Sequence, residues 1–157
     1  MNAPRAQTTA MTEDPLKLDR QVCFALAVAS RTVIALYRPL LEPLNLTHPQ
    51  YLVMLALWEQ SPRSVKEITQ AIRLDSATLS PLLKRLEASG YVTRTRNPED
   101  ERTLCLELTP AGNVLREQAL DVPQAVVERL GIDESELLDL HQRLLTVIEA
   151  ATRATDG

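Results

Sequence analysis

Over residues 74–90 the chain reads LDSATLSPLLKRLEASG. Its apolar positions Leu79, Leu82, Leu83 and Leu86 recur at the three- and four-residue steps of one helical face. Ser76, Thr78, Ser80, Lys84 and Arg85 are left for the opposite face, which is short-armed, hydroxyl-rich and basic. Asp75 is placed to cap this helix and Gly90 to close it. Pro81 falls inside it, at a general cost of about 3 kcal/mol. The longer helix is nevertheless retained, because one starting at Ser80 is too short to fill a groove. Upstream, Ser64 with Glu67 three residues on forms a capping box that opens a partner helix. Downstream, residues 91–95 and 102–108 read as the strands of a hairpin that turns at NPEDE. In its second strand Leu104, Leu106 and Leu108 alternate with Thr103, Cys105 and Glu107, so one face is covered and Cys105 is expected on the outer face. Helix, turn, basic helix and arginine-bearing hairpin form the arrangement of a winged helix-turn-helix reader of DNA.

The flanks follow a different pattern. From Leu16 onward Leu18, Val22, Leu26, Ala29, Val33 and Leu36 form one stripe, broadened by Phe24, Val28 and Ile34, and Pro39 is expected to end this helix near Tyr37 or Arg38. A second helix starts after LTHPQ, with Thr47 as N-cap, and its YLVMLALWE run is apolar nearly all round, as a core helix is. SPRS reads as a loop. After LTPAG a helix from Ala111 carries Val114, Leu115, Ala119 and Leu120 until Pro123 disturbs it. Asp133 and Glu136 then open a last helix striped by Leu137, Leu138, Leu144, Leu145 and Ile148. The terminal helices carry more apolar surface than a small winged domain covers, so a second subunit is expected on them. The fold class is mainly α with a small β-hairpin wing. Residues 1–14 are expected to be a disordered tail and 15–157 a single domain, in which 46–109 are the winged helix-turn-helix and 15–45 and 111–157 the dimerisation helices.

Charge changes this picture only in its distribution. The net charge of −4 argues against a nucleic-acid partner, yet residues 61–105 hold eight Lys/Arg against six Asp/Glu, while residues 106–157 hold four against ten. The acidity therefore sits outside the reader. Cys23 and Cys105 are too far apart in sequence for a CxxC metal or redox motif and too few for a disulfide scaffold, so a reducing compartment and no metal are expected. With neither a membrane-length apolar run nor a secretory signal read from the sequence, the expected location is cytoplasmic. No cofactor motif is present.

The order of core helix, helix-turn-helix, DER-containing wing, LTxxG and terminal helices resembles the MarR family of dimeric winged-helix regulators. CFALAVASR, YRPLLEPLNLTHPQYLVMLALWE, LDSATLSPLLKRLEASGYVTRTR and DERTLCLELTPAG are similar to its OhrR branch, which senses organic hydroperoxides. The match is dense over about residues 17–120. The resemblance implies that Cys23 is a peroxide-sensing thiol. Tyr37 matches one of the tyrosines that surround the thiolate in that branch, whereas His48 stands at a second tyrosine position and Ala27 at a third. Some relatives carry a resolving cysteine in the C-terminal helices; this chain has none there, which implies a single-cysteine mode.

The expected function is thus a homodimeric DNA-binding repressor, not an enzyme, bound to a pseudo-palindromic operator and released when an organic hydroperoxide oxidises Cys23, with Tyr37 and His48 around the thiol. Ser76, Thr78, Ser80, Lys84 and Arg85 on the recognition helix, and Arg94, Arg96 and Arg102 in the wing, are the DNA-contact candidates, with one wing arginine expected to pair with Asp100. A regulator of the same fold released by a small-molecule ligand, with Cys23 not redox-active, is the alternative. A thiol peroxidase would need a resolving partner or a reductase motif, and the sequence shows neither. A winged domain used only for protein contacts is the remaining reading.

Overall fold

The computed structural model describes residues 14–157, so the expected tail lies, apart from Asp14, outside the described residues. The chain forms two compact units, one reaching to Ala35 and one of Leu36–Gly157. In the first, a 3-10 turn at Leu18–Arg20 leads into α1 (Val22–Leu41), and the Gln21 side chain ties this entry by donating to the carbonyls of Pro15 and Lys17. Pro39 does not end α1, which continues to Leu41. The reason is packing: Leu41 is 1% exposed, and with Leu44 it joins the core, offsetting the backbone bond that proline removes.

α1 is also where one expectation needs correcting. The stretch Val22–Leu44 is long and apolar enough, by length and composition, to cross a membrane. Arg31 and Arg38 within it and the polar residues between its stripes fit instead a helix made to pack against protein.

In the second unit α2 (His48–Glu59) starts at Thr47, whose hydroxyl accepts from Gln50 N–H while the Gln50 side chain accepts from Thr47 N–H, the expected cap. Val53, Met54 and Leu57 are at most 1% exposed, so α2 is the core helix. SPRS, expected to be a loop, contains a strand. β1 (Arg63–Ser64) pairs antiparallel with β3 (Leu104–Leu108), which also pairs with β2 (Val92–Arg96), in the order β1-β3-β2. This third strand overturns the expected exposure of Cys105. Its partner in β1 is Ser64, the N-cap of α3 (Val65–Ile72), and Cys105 is 5% exposed. Leu104, in contrast, lies beyond β1 and is 43% exposed. The simple alternation therefore fails at the wing root because the sheet has a second neighbour there.

α4 (Ser76–Ala88) runs through Pro81, held by Leu79, Leu83 and Leu86, all at most 1% exposed. After β3, Thr109 caps α5 (Pro110–Ala119) by accepting from Gly112 N–H. Gly112 is required by contact: a Cβ there would stand 2.2 Å from the Tyr91 carbonyl oxygen. Pro123 opens α6 (Val122–Leu130) rather than merely disturbing α5, as proline does in a first turn. α7 (Glu134–Thr155) follows. Asp133 precedes it but makes no side-chain cap, contrary to expectation, and none of its residues is buried.

Candidate functional site

The helix-turn-helix consists of α3 and α4. Ser64 and Glu67 close the capping box of α3, with Ser64 N–H donating to the Glu67 carboxylate at 2.7 Å and Glu67 N–H to the Ser64 hydroxyl at 3.1 Å. That backbone N–H, then the Ser64 side chain, holds the Glu67 carboxyl below its ordinary value. At the head of α4 the Asp75 carboxylate accepts from Thr78 N–H at 2.7 Å and from the Thr78 hydroxyl at 3.0 Å. These two bonds, in that order, lower the Asp75 pKa. The caps fix where α4 begins and so which side chains it presents.

It presents the ones read from the pattern. Ser76, Thr78, Ser80, Lys84 and Arg85 are all exposed, opposite the buried leucines. They differ in freedom. The Thr78 proton is committed to Asp75, leaving its oxygen as an acceptor, whereas Arg85 borders a cleft shared with Glu42, Asn45 and Gln50 at the α1–α2 junction. Lys84 is suited to a phosphate and the hydroxyls to phosphates or base edges.

In the wing, Arg94 is held by Glu87 of α4 at 2.9 Å, so this pair ties wing to helix. Arg96 donates to the Glu101 carbonyl at 2.7 Å. The expected arginine–Asp100 side-chain pair does not form. Asp100 instead accepts from Arg102 N–H at 3.1 Å and the Thr103 hydroxyl at 3.2 Å, closing the loop with short bonds to its own neighbours. This leaves the exposed Arg102 guanidinium without an ion-pair partner among the described residues.

Comparison with known proteins bears on what this reader is. A model of the MarR family matches residues 46–104, from the start of α2 into the wing. The organic hydroperoxide resistance transcriptional regulator of Bacillus subtilis (strain 168) is 42% identical over 136 residues, covering 87% of this chain and 92% of that protein. The chain belongs to the MarR family. Among solved structures, overoxidized AbfR bound to DNA is 34% identical with a TM-score of 0.65, over 83% of this chain and 94% of that one. A probable transcriptional regulator from Pseudomonas aeruginosa is 26% identical with a TM-score of 0.77, over 83% and 99%. The fold class is that of winged-helix regulators, and this MarR-family protein is a DNA-binding transcriptional regulator.

The other predicted site residues lie in both units. Cys23 is an exposed free thiol on α1 in the first unit. In the second, Tyr37 and His48 meet edge to face, with ring centroids 4.9 Å apart. Burial lowers the His48 pKa and so favours neutral imidazole, which removes the protonated form as a source of positive charge near neutral pH. Tyr51, not among the residues expected here, joins them. It stands 5.9 Å from Tyr37 and 6.5 Å from His48, and Trp58 follows at 6.4 Å from Tyr51. Burial, then the nearby Tyr37, raises the Tyr51 pKa. The signal was present: His48, Tyr51, Leu55 and Trp58 repeat at three- and four-residue steps along α2. Cys105 is the other free cysteine, its thiol pKa raised by burial and then by Glu67.

Proposed function

We infer that this regulator is a homodimer which represses transcription from a pseudo-palindromic operator and releases it when an organic hydroperoxide oxidises Cys23. The observation that carries the reading is the 42% identity with the organic hydroperoxide resistance regulator, extended over nearly all of both chains, together with an exposed thiol on α1. The chemistry is that of a thiolate. Its sulfur attacks the terminal peroxide oxygen, an S–O bond forms as the O–O bond breaks, and the alkoxide takes a proton from water to leave as an alcohol. Cysteine becomes sulfenic acid and the peroxide is reduced. Cys105 is buried at the wing root and its thiol is held protonated, so it is a poor resolving partner; a small cellular thiol or further oxidation completes the change. In this reading Tyr37 and His48, which stand at tyrosine positions of the hydroperoxide-sensing branch, take the part of the residues that tune the thiol.

On the DNA, Ser76, Thr78, Ser80, Lys84 and Arg85 enter the major groove from each subunit, while Arg96 and Arg102 serve the minor groove and Arg94 positions the wing. The test is operator binding by reduced protein titrated with an organic hydroperoxide, alongside the mass of the Cys23 peptide. DNA loss should track one oxygen atom gained or one thiol added at Cys23. If Cys23→Ser still loses DNA on peroxide treatment, the redox reading fails.

A second reading is favoured by a cleft of about 290 Å³ whose lining includes Tyr51, Leu55, Trp58, Glu59, Arg116 and Pro123. Its aromatic walls, with a carboxylate and a guanidinium both at the lining, suit a small aromatic ligand, whose binding would release DNA with Cys23 unchanged.

A further inference from the structure

The end of α1 meets the recognition helix and the wing at one residue that neither the DNA interface nor the thiol chemistry uses. Tyr91 is the residue between α4 and β2, set after Gly90, whose φ of +78° turns the chain out of the helix. Its ring packs on the core, and its hydroxyl donates to the Leu44 carbonyl at 3.0 Å, across 47 residues of sequence. Leu44 closes the 3-10 turn Glu42–Leu44 that directly continues α1. The Tyr91 carbonyl in turn accepts from Thr109 N–H at 3.1 Å at the head of α5, and Gly112 gives it clearance there. One residue thus joins these elements, its hydroxyl reaching the turn at the end of α1 and its backbone carbonyl the start of α5, from its place between α4 and the first wing strand.

The other links across this junction are weaker in direction. Asn45 reaches Ser89 at 3.5 Å, the limit of a hydrogen bond, and Leu41, Leu44 and Leu46 pack on the core through apolar contact alone. Apolar contacts resist separation but tolerate sliding, whereas a hydrogen bond loses strength steeply with distance and angle. We propose that Tyr91 is the positioning residue that couples α1 to the recognition helix, so that a displacement of α1 is delivered to α4 and the wing rather than absorbed by slip in the leucine core. The proposal rests on α1 being the input arm of the regulator. It does not need oxidation to be the natural input, which the peroxide titration tests separately.

The experiment is a double-mutant cycle on the full-length protein, with a DNA duplex selected by the wild type from a random-sequence pool as probe. Cys23→Asp places a fixed charge on α1, and Tyr91→Phe removes only the hydroxyl. Tyr91→Phe alone should bind the duplex within about threefold of wild type, since the lost neutral hydrogen bond lies within the fold and makes no contact with DNA. Cys23→Asp should weaken binding about tenfold or more in the Tyr91 background and by under threefold in the Phe background, a coupling within the usual allosteric range. Replacing Tyr91 by 4-aminophenylalanine, which keeps a donor at the ring's end, should restore the larger effect. Equal costs of Cys23→Asp in both backgrounds, no cost in either, or failure of the amine to restore the coupling would each overturn the proposal. So would a fall in melting temperature of more than about 10 °C for Tyr91→Phe, which would mark the hydroxyl as a fold stabiliser.

Discussion

The reader and the arms use the same material, rows of leucine and valine at helical spacing, with opposite results. In the reader, Ile68, Leu79, Leu83 and Leu86 are buried to within 1%. On α7 no residue is buried, and Leu138, Leu140, Leu145, Val147 and Ile148 are between 37% and 61% exposed; on α1 Val22, Phe24, Val28 and Ile34 are likewise open. An amphipathic stripe promises only that something will cover it. In the reader the same chain supplies the cover. For the arms nothing among the described residues of the same chain does, and the proposed homodimer would supply the cover with a second copy.

That contrast is broken most severely by charging the arms. Val28→Asp with Leu138→Glu should yield monomer by sedimentation equilibrium and lower affinity for the selected duplex by about 10²–10⁴, the loss that follows when two linked contacts become one. Cooperative melting of the reader should persist; an unchanged mass would show that the stripes are not the interface. Next in size, Leu83→Ala in the reader should cost about 2–5 kcal/mol in urea unfolding, as a cavity in a closed core does, whereas Leu138→Ala should cost well under 1 kcal/mol within an isolated chain. Smaller still, Lys84→Ala should weaken binding alike for all duplex sequences and reduce the salt slope by about one, with Arg102→Ala behaving similarly. Arg94→Ala should instead lower affinity with little change in salt slope, because its charge is already matched by Glu87.

The smallest effect is one of pH. Burial depresses the His48 pKa from 6.5, so the unfolded chain binds the proton more readily than the native one. The stability this contributes is present above pH 6.5 and is lost as pH falls from there through the native pKa. His48→Gln should flatten that part of a melting-temperature profile. A profile unaltered by the substitution would place the titration elsewhere.

Much of the reader could be read from the sequence because its determinants are local. Thr47 with Gln50, Ser64 with Glu67, and Asp75 with Thr78 are three residues apart and form the caps their spacing suggests. What escaped depends on residues far apart. β1 is two residues long and exists through Arg63 and Ser64 pairing with Leu106 and Cys105, some forty positions away, so no periodicity marks it. The burial of Cys105 followed from that strand, and the internal ties of Arg94 and Arg96 followed from the fold of the wing. The aromatic row was half visible. Tyr51 and Trp58 share the His48 face of α2, but Tyr37, on another helix, meets His48 and Tyr51 only in the folded second unit.

By itself, then, the sequence determined where the helices start, which face of α4 is basic, and which residues are chemically able to sense or bind, since capping and periodicity act within a few residues of themselves. Only the tertiary structure decided which cysteine is open and which is closed, which wing arginine remains unpaired, and that Tyr91 spans from α4 to the end of α1. Each of these depends on what lies across from a residue, and that is set by chain closure over tens of residues.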